Sequence, residues 1–213
     1  MRINVLTLGT GVACAVGIVN AAVIVDISPG TGAPPGTLGG YAMAALPPDL
    51  TPEGTLISSL STGICPWHSG DLTFTTDVEH DVVGSLWDTW SHGYTGSVYY
   101  NEDHDLLMNL PAGTLAFYLY VQPNIKATFE FKVDSSATTT LLNVDGSAGA
   151  KYVGFYTDDV VDPLQFVYVR QTTMTSDGFA AGEFGICVPE PSTYGLLAGL
   201  GLGALAFYRR SRA

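Results

Sequence analysis

The chain has 213 residues and a net charge of −12, yet only 13% of its side chains are charged and its mean hydropathy is positive. Between Ala22 and Cys187 four basic residues (Lys126, Lys132, Lys151 and Arg170) stand against nineteen acidic ones, and no Lys or Arg lies between Arg2 and Lys126. Such a body has no cationic surface to neutralise phosphates, which excludes nucleic acid and basic-patch binding to anionic lipid.

The N-terminus reads as an export signal. Arg2 and the α-amino group make a minimal positive region, and an uncharged stretch follows from Ile3 to Val19. Val19-Asn20-Ala21 offers compact residues for a signal peptidase, placing the cut after Ala21 and the signal peptide at residues 1–21. Gly9, Gly11 and Gly17 would weaken a core helix here. Gly11-Val12-Ala13 before Cys14 lacks the leucine expected of a lipoprotein signal.

Residues 22–55 form an extended Pro/Gly-rich segment. Val23 to Ile27 alternates as a strand would, and residues 28–54 then hold six of the twelve prolines and six glycines. That density suits an extended coil lying over the fold, or a spacer.

Residues 56–187 form the predicted domain. Short β-type runs are expected near Leu56–Leu60, Leu72–Thr76, Asp81–Leu86, Gly96–Tyr100, Leu106–Leu110, Leu115–Val121, Ala127–Val133, Thr138–Val144, Tyr152–Tyr156, Leu164–Gln171 and Gly178–Ile186. Pro111-Ala112-Gly113, Gln122-Pro123-Asn124, Asp145-Gly146, Asp162-Pro163 and Ser176-Asp177-Gly178 carry turn chemistry between them. Phe129-x-Phe131-x-Val133 and Phe166-x-Tyr168-x-Arg170 alternate with period two, which gives each strand one core face. Many short strands of this spacing predict a single all-β domain, an antiparallel β-sandwich or jelly-roll-like fold.

With Cys14 removed in the signal peptide, Cys65 and Cys187 remain, an even number for an oxidising compartment. A Cys65–Cys187 disulfide is expected, with two separate thiols as the alternative. Closing a loop of about 120 residues would contribute roughly 4 to 5 kcal/mol in the entropic account.

Several groups of residues are candidates for chemistry. His68, His80, His92 and His104 recur every twelve residues, a spacing that is no metal motif. Acidic clusters at Asp77, Glu79 and Asp81, at Glu102, Asp103 and Asp105, and at Asp158, Asp159 and Asp162 offer hard oxygen ligands. The last cluster is the candidate structural calcium site, against the plainer reading of a solvated acidic face. Trp87, Trp90 and Tyr94, with Tyr99 and Tyr100, would stack sugar rings if exposed and are core if they face inward. Trp67, beside Cys65 and Pro66, is expected to be partly exposed. No nucleophile elbow, phosphate loop or HExxH helix is present, so no enzyme activity is expected. Carboxylate pairs leave a secreted glycan hydrolase as the lesser alternative.

Residues 188–213 close the chain with three parts in order. Val188-Pro189-Glu190-Pro191 stops the preceding strand and holds the link extended, and an uncharged run follows from Tyr194 to Tyr208. Arg209, Arg210 and Arg212 then hold the C-terminus on the cytoplasmic side of a single transmembrane helix. A 15-residue helix spans only about 22 Å, short of the roughly 30 Å hydrocarbon core. Its glycines at 195, 199 and 203 match a close-packing spacing.

This tail resembles the PEP-CTERM sorting signal of Gram-negative, exopolysaccharide-producing bacteria. The resemblance implies recognition and processing by an exosortase, an integral membrane cysteine transpeptidase. It implies an inner-membrane-anchored intermediate, then release to the periplasm, outer surface or extracellular matrix, with exopolysaccharide as an associated partner. A second resemblance rests on Trp90–Tyr99, Leu110–Gly113 and Phe179–Ile186 and is similar to a β-sandwich body recurring in PEP-CTERM proteins; it implies a fold and no activity.

Overall fold

The structure is a computed structural model, and it describes residues 22–63, 70–134, 139–159, 162–173 and 177–187. The expected signal peptide at 1–21, the 188–213 tail, Cys65, Trp67 and His68 lie outside the described residues. Among those described, no helix is long and apolar enough to cross a membrane.

Fourteen strands follow in chain order: β1 (Val23–Asp26), β2 (Thr37–Leu38), β3 (Tyr41–Ala42), β4 (Ala44–Ala45), β5 (Thr55–Leu60), β6 (Leu72–Val82), β7 (Ser97–Asn101), β8 (Asp105–Thr114), β9 (Ala116–Pro123), β10 (Lys126–Val133), β11 (Thr140–Asp145), β12 (Lys151–Thr157), β13 (Leu164–Gln171) and β14 (Phe179–Cys187). Twelve of them form one antiparallel sheet in the order β1-β12-β9-β14-β7-β6-β8-β13-β10-β11, with β4 beside β14 and β5 beside β6. The sheet curls until it nearly closes into a barrel. The all-β antiparallel expectation holds in this form. The two faces expected of a sandwich belong to one continuous sheet.

The continuity depends on β6. Two strands were expected here, separated at Asp77–His80, but Val78 and His80 are buried while Asp77 and Glu79 are not, so the period-two pattern runs through the acidic cluster. The first half of β6 pairs with β8 (Thr73 opposite Asn109) and its second half with β7 (His80 opposite Tyr99). One long strand therefore carries the sheet from one half of the fold to the other.

Pro111-Ala112-Gly113 departs from its predicted role as a turn. It lies within β8, where the register against β13 slips between Leu164 and Phe166 and Gly113 takes a φ of +86°. The turn residues make a bulge that re-aims the strand toward β9.

The main core joins Phe117, Leu119 and Val121 of β9 with Phe129 and Phe131 of β10, Val153 and Phe155 of β12, and Phe179 and Phe184 of β14. Phe129 meets Phe179 edge-on with ring centres 5.1 Å apart. Every residue of β9 and β14 is buried, because both faces of this half of the sheet are covered. The second face carries Tyr118, Tyr120 and Tyr152, packed against Leu38 from the N-terminal segment. That segment lies over the fold: Gly30 accepts from the Tyr152 N–H at 2.8 Å, and the Tyr41 hydroxyl donates to the Thr157 carbonyl at 3.1 Å. Gly185 is required beneath the Tyr118 ring, since a Cβ there would lie 2.1 Å from Cε1.

Candidate functional site

On β7, Ser97 and Tyr99 share the face that carries Phe184 and Phe74, while Val98 packs on the opposite face with Trp87. The 45–51 segment is fixed to the end of β14, with Ala45 opposite Gly185 and the Leu46 N–H donating to the Phe184 carbonyl at 3.0 Å. Between this segment, β5 and β7 lies a cleft of about 510 Å³. Asp49, Leu50, Tyr94, Ser97, Tyr99 and Glu183 are among its lining residues.

The polar groups are held in place. The Tyr99 hydroxyl donates to Asp49 Oδ2 at 3.3 Å, and the Thr51 N–H donates to Asp49 Oδ1 at 2.9 Å. Burial acts to raise the Asp49 carboxyl, but hydrogen bonds from the Thr51 side chain and backbone, with His80 and Tyr99, outweigh it and hold its pKa below the usual value. His80 Nε2 and Ser97 Oγ lie 2.9 Å apart, as the diagonal cross-strand register allows. His80 Nδ1 meets no hydrogen-bond partner among the described residues.

Glu183 is the residue that motif reasoning did not single out. The register between β14 and β9 slips from Gly182 opposite Tyr120 to Gly185 opposite Tyr118, and Glu183 adopts a φ of +50° in the bulge. The bulge lets Phe184 enter the core, stacked on Tyr99 at 5.6 Å and Phe117 at 6.0 Å. Trp90 Nε1 donates to Glu183 Oε2 at 3.1 Å, and His92 Nε2 lies 2.9 Å from Oε1 and 3.0 Å from Oε2. His92 also has a positive φ, +40°, and its ring packs on Tyr120 at 5.4 Å. Burial pushes the Glu183 carboxyl up, with His92 opposing. Burial and the nearby Glu183 push the Tyr94 hydroxyl up to about 12. A sequence signal existed: Glu183 is the one charged residue in the run Phe179–Cys187.

The candidates named from sequence are dispersed. Trp87 is buried and donates to Gln122 Oε1 at 3.2 Å. Trp90 is half-buried against Tyr94, with ring centres 6.3 Å apart. Tyr94 donates to the Ser97 carbonyl at 3.0 Å and alone of the three borders the cleft. The three pack the 83–96 loop onto the sheet. At the candidate calcium cluster the Asp162 N–H donates to the Asp159 carbonyl at 3.2 Å. Among the described residues no three His, Cys, Asp or Glu side chains gather in a way that could hold a metal ion. Asp105 accepts from the Tyr168 hydroxyl at 2.8 Å and lies 3.6 Å from Arg170. Cys187 is buried at the end of β14; its expected pairing with Cys65 reaches outside the described residues.

The four cations of the body lie away from the cleft. Lys126 meets Asp145 at 2.8 Å, Lys132 meets Glu130 at 3.0 Å, and Lys151 Nζ donates to the Asn143 carbonyl at 2.7 Å. With Arg170, all belong to β10, β12 and β13.

The strand β14 ends at Cys187, and Val188-Pro189-Glu190-Pro191 follows it directly in the sequence, the arrangement of a β body with a C-terminal sorting signal. Residues 188–213 match the family described as the PEP-CTERM protein-sorting motif. The chain carries this sorting motif at its C-terminal end, and the motif implies export and processing by an exosortase. No curated protein matches the chain.

Proposed function

We propose that this is a protein of the cell surface or extracellular matrix of a Gram-negative bacterium, with a structural and binding role associated with exopolysaccharide rather than a catalytic one. The observation that carries the reading is the sorting motif at 188–213, directly after the core strand β14. The absence of cations from the cleft fits a neutral matrix partner, since an anionic chain would meet an acidic, unneutralised surface. The Ser97–His80 pair, without a group on His80 Nδ1, gives no support to a hydrolytic role. Fractionating the host with and without its exosortase tests the reading. The protein is expected at the surface or in the matrix of the first strain and in the inner membrane of the second. The same distribution in both would defeat it.

A further inference from the structure

We propose that the cleft between the 45–51 segment, β5 and β7 binds a neutral oligosaccharide, held by Asp49, Ser97 and Glu183 and flanked by Tyr94 and Leu50. The inference rests on the exopolysaccharide association proposed above and assigns that association to a place.

Four observations support it. The volume, about 510 Å³, lies in the range of small-molecule sites. The polar lining is rich in acceptors: hydrogen bonds hold the Asp49 carboxyl below its usual pKa, Glu183 adds a second carboxyl group and Ser97 a hydroxyl. Each carboxylate oxygen has two lone pairs, so the bonds to Tyr99, Thr51, Trp90 and His92 leave acceptor sites for the hydroxyl hydrogens of a sugar. No Lys or Arg lines the cleft, which disfavours an acidic saccharide or a phosphate. At the lip, Leu50 is 92% exposed beside Pro47 and Pro48, an apolar edge on which the C–H face of a sugar ring can rest.

The site is also preformed. The Ala45–Gly185 pairing and the Leu46-to-Phe184 bond pin one wall to β14, and the Tyr99–Asp49 bond ties that wall to β7. Binding therefore orders little that is not already ordered. Two of the residues with positive φ, His92 and Glu183, meet each other beside this cleft, with His92 Nε2 2.9 Å from Glu183 Oε1. Backbone strain of that kind concentrates at binding sites.

The test uses the protein purified in its processed form from the host. Neutral glucose, mannose, galactose and xylose oligosaccharides of two to four units are titrated by calorimetry, beside an acidic oligogalacturonate and calcium chloride. At least one neutral probe is expected to bind. Leu50→Ser, on a fully exposed side chain, should weaken that probe several-fold without moving the melting temperature. Asp49→Ala should weaken it at least tenfold. Failure of every neutral probe on folded protein would overturn the inference. So would preference for the oligogalacturonate, a response to calcium alone, or neutral binding that both substitutions leave unchanged. The assay is blind to sorting: exosortase-dependent localisation alongside absent sugar binding would remove this site and leave the route intact.

Discussion

Asp81 shows how burial sets the behaviour of a single residue. Its Oδ1 is buried and unpartnered among the described residues, and burial, reinforced by Glu79, pushes its carboxyl up to about 6. An unfolded aspartate titrates near 3.9. The folded state therefore binds the proton more tightly, and Asp81 favours folding below about pH 4 and loses that advantage as pH rises through 6. Asp81→Asn should raise the melting temperature at pH 7.5 and give no gain at pH 4; an equal effect at both pH values would contradict the assignment. The His92–Glu183 pair carries the opposite risk. His92→Ala would leave the buried Glu183 carboxyl with Trp90 as its donor, and a loss of roughly 1–3 kcal/mol, the cost of removing one partner of a buried polar group, is expected in denaturant melts at neutral pH. A loss below about 0.5 kcal/mol, the scale of an exposed pair, would mean that Glu183 is not desolvated. Neither residue was legible as a site. Asp81 and His92 fell into recurring spacings that meant nothing in three dimensions. Glu183 needed knowledge of a bulge, a register event that period-two alternation does not encode.

At the scale of elements, β9 and β14 explain what pattern reading captures and what it misses. Residues 115–121 and 178–186 were recognisable as strands because they combine β-branched, aromatic and small residues between turn signals. That both faces are buried was not legible, since the second cover comes from Leu38, Tyr41 and Met43 in a Pro/Gly-rich segment with no strand signature. β13 was found at its observed limits, Leu164–Gln171, because Asp162-Pro163 marks its start and its alternation is regular. β6 was split in two because Asp77 and Glu79 look like a loop when their alternation with Val78 and His80 is overlooked. Gly185→Ala tests the covered face directly. Its Cβ would meet the Tyr118 ring, and overpacking of this kind should cost roughly 1–3 kcal/mol in a urea melt. An unchanged midpoint would show that Tyr118 moves freely and that the outer cluster is loose.

For the molecule as a whole, charge and topology act together. Between Ala22 and Cys187 the acidic excess leaves four cations, all engaged on β10, β12 and β13 and none at the cleft. Because no described carboxylates gather as a metal site, adding EGTA should leave the melting temperature unchanged; a fall would reveal a calcium requirement. The topology bears on processing as well. Cys187 ends a strand that pairs with β9, and its carbonyl accepts the Leu115 N–H at 3.0 Å. A cut inside 179–187 would remove part of a fully buried strand, so cleavage is expected on the C-terminal side of Cys187. The intact mass of the protein recovered from the surface of its host is the most direct test. The account predicts a C-terminus beyond Cys187 that lacks the 194–208 segment and Arg209–Arg212 when the exosortase is present. A mass that retains the arginine-ended tail in that strain, or an end within Phe179–Cys187, would contradict it.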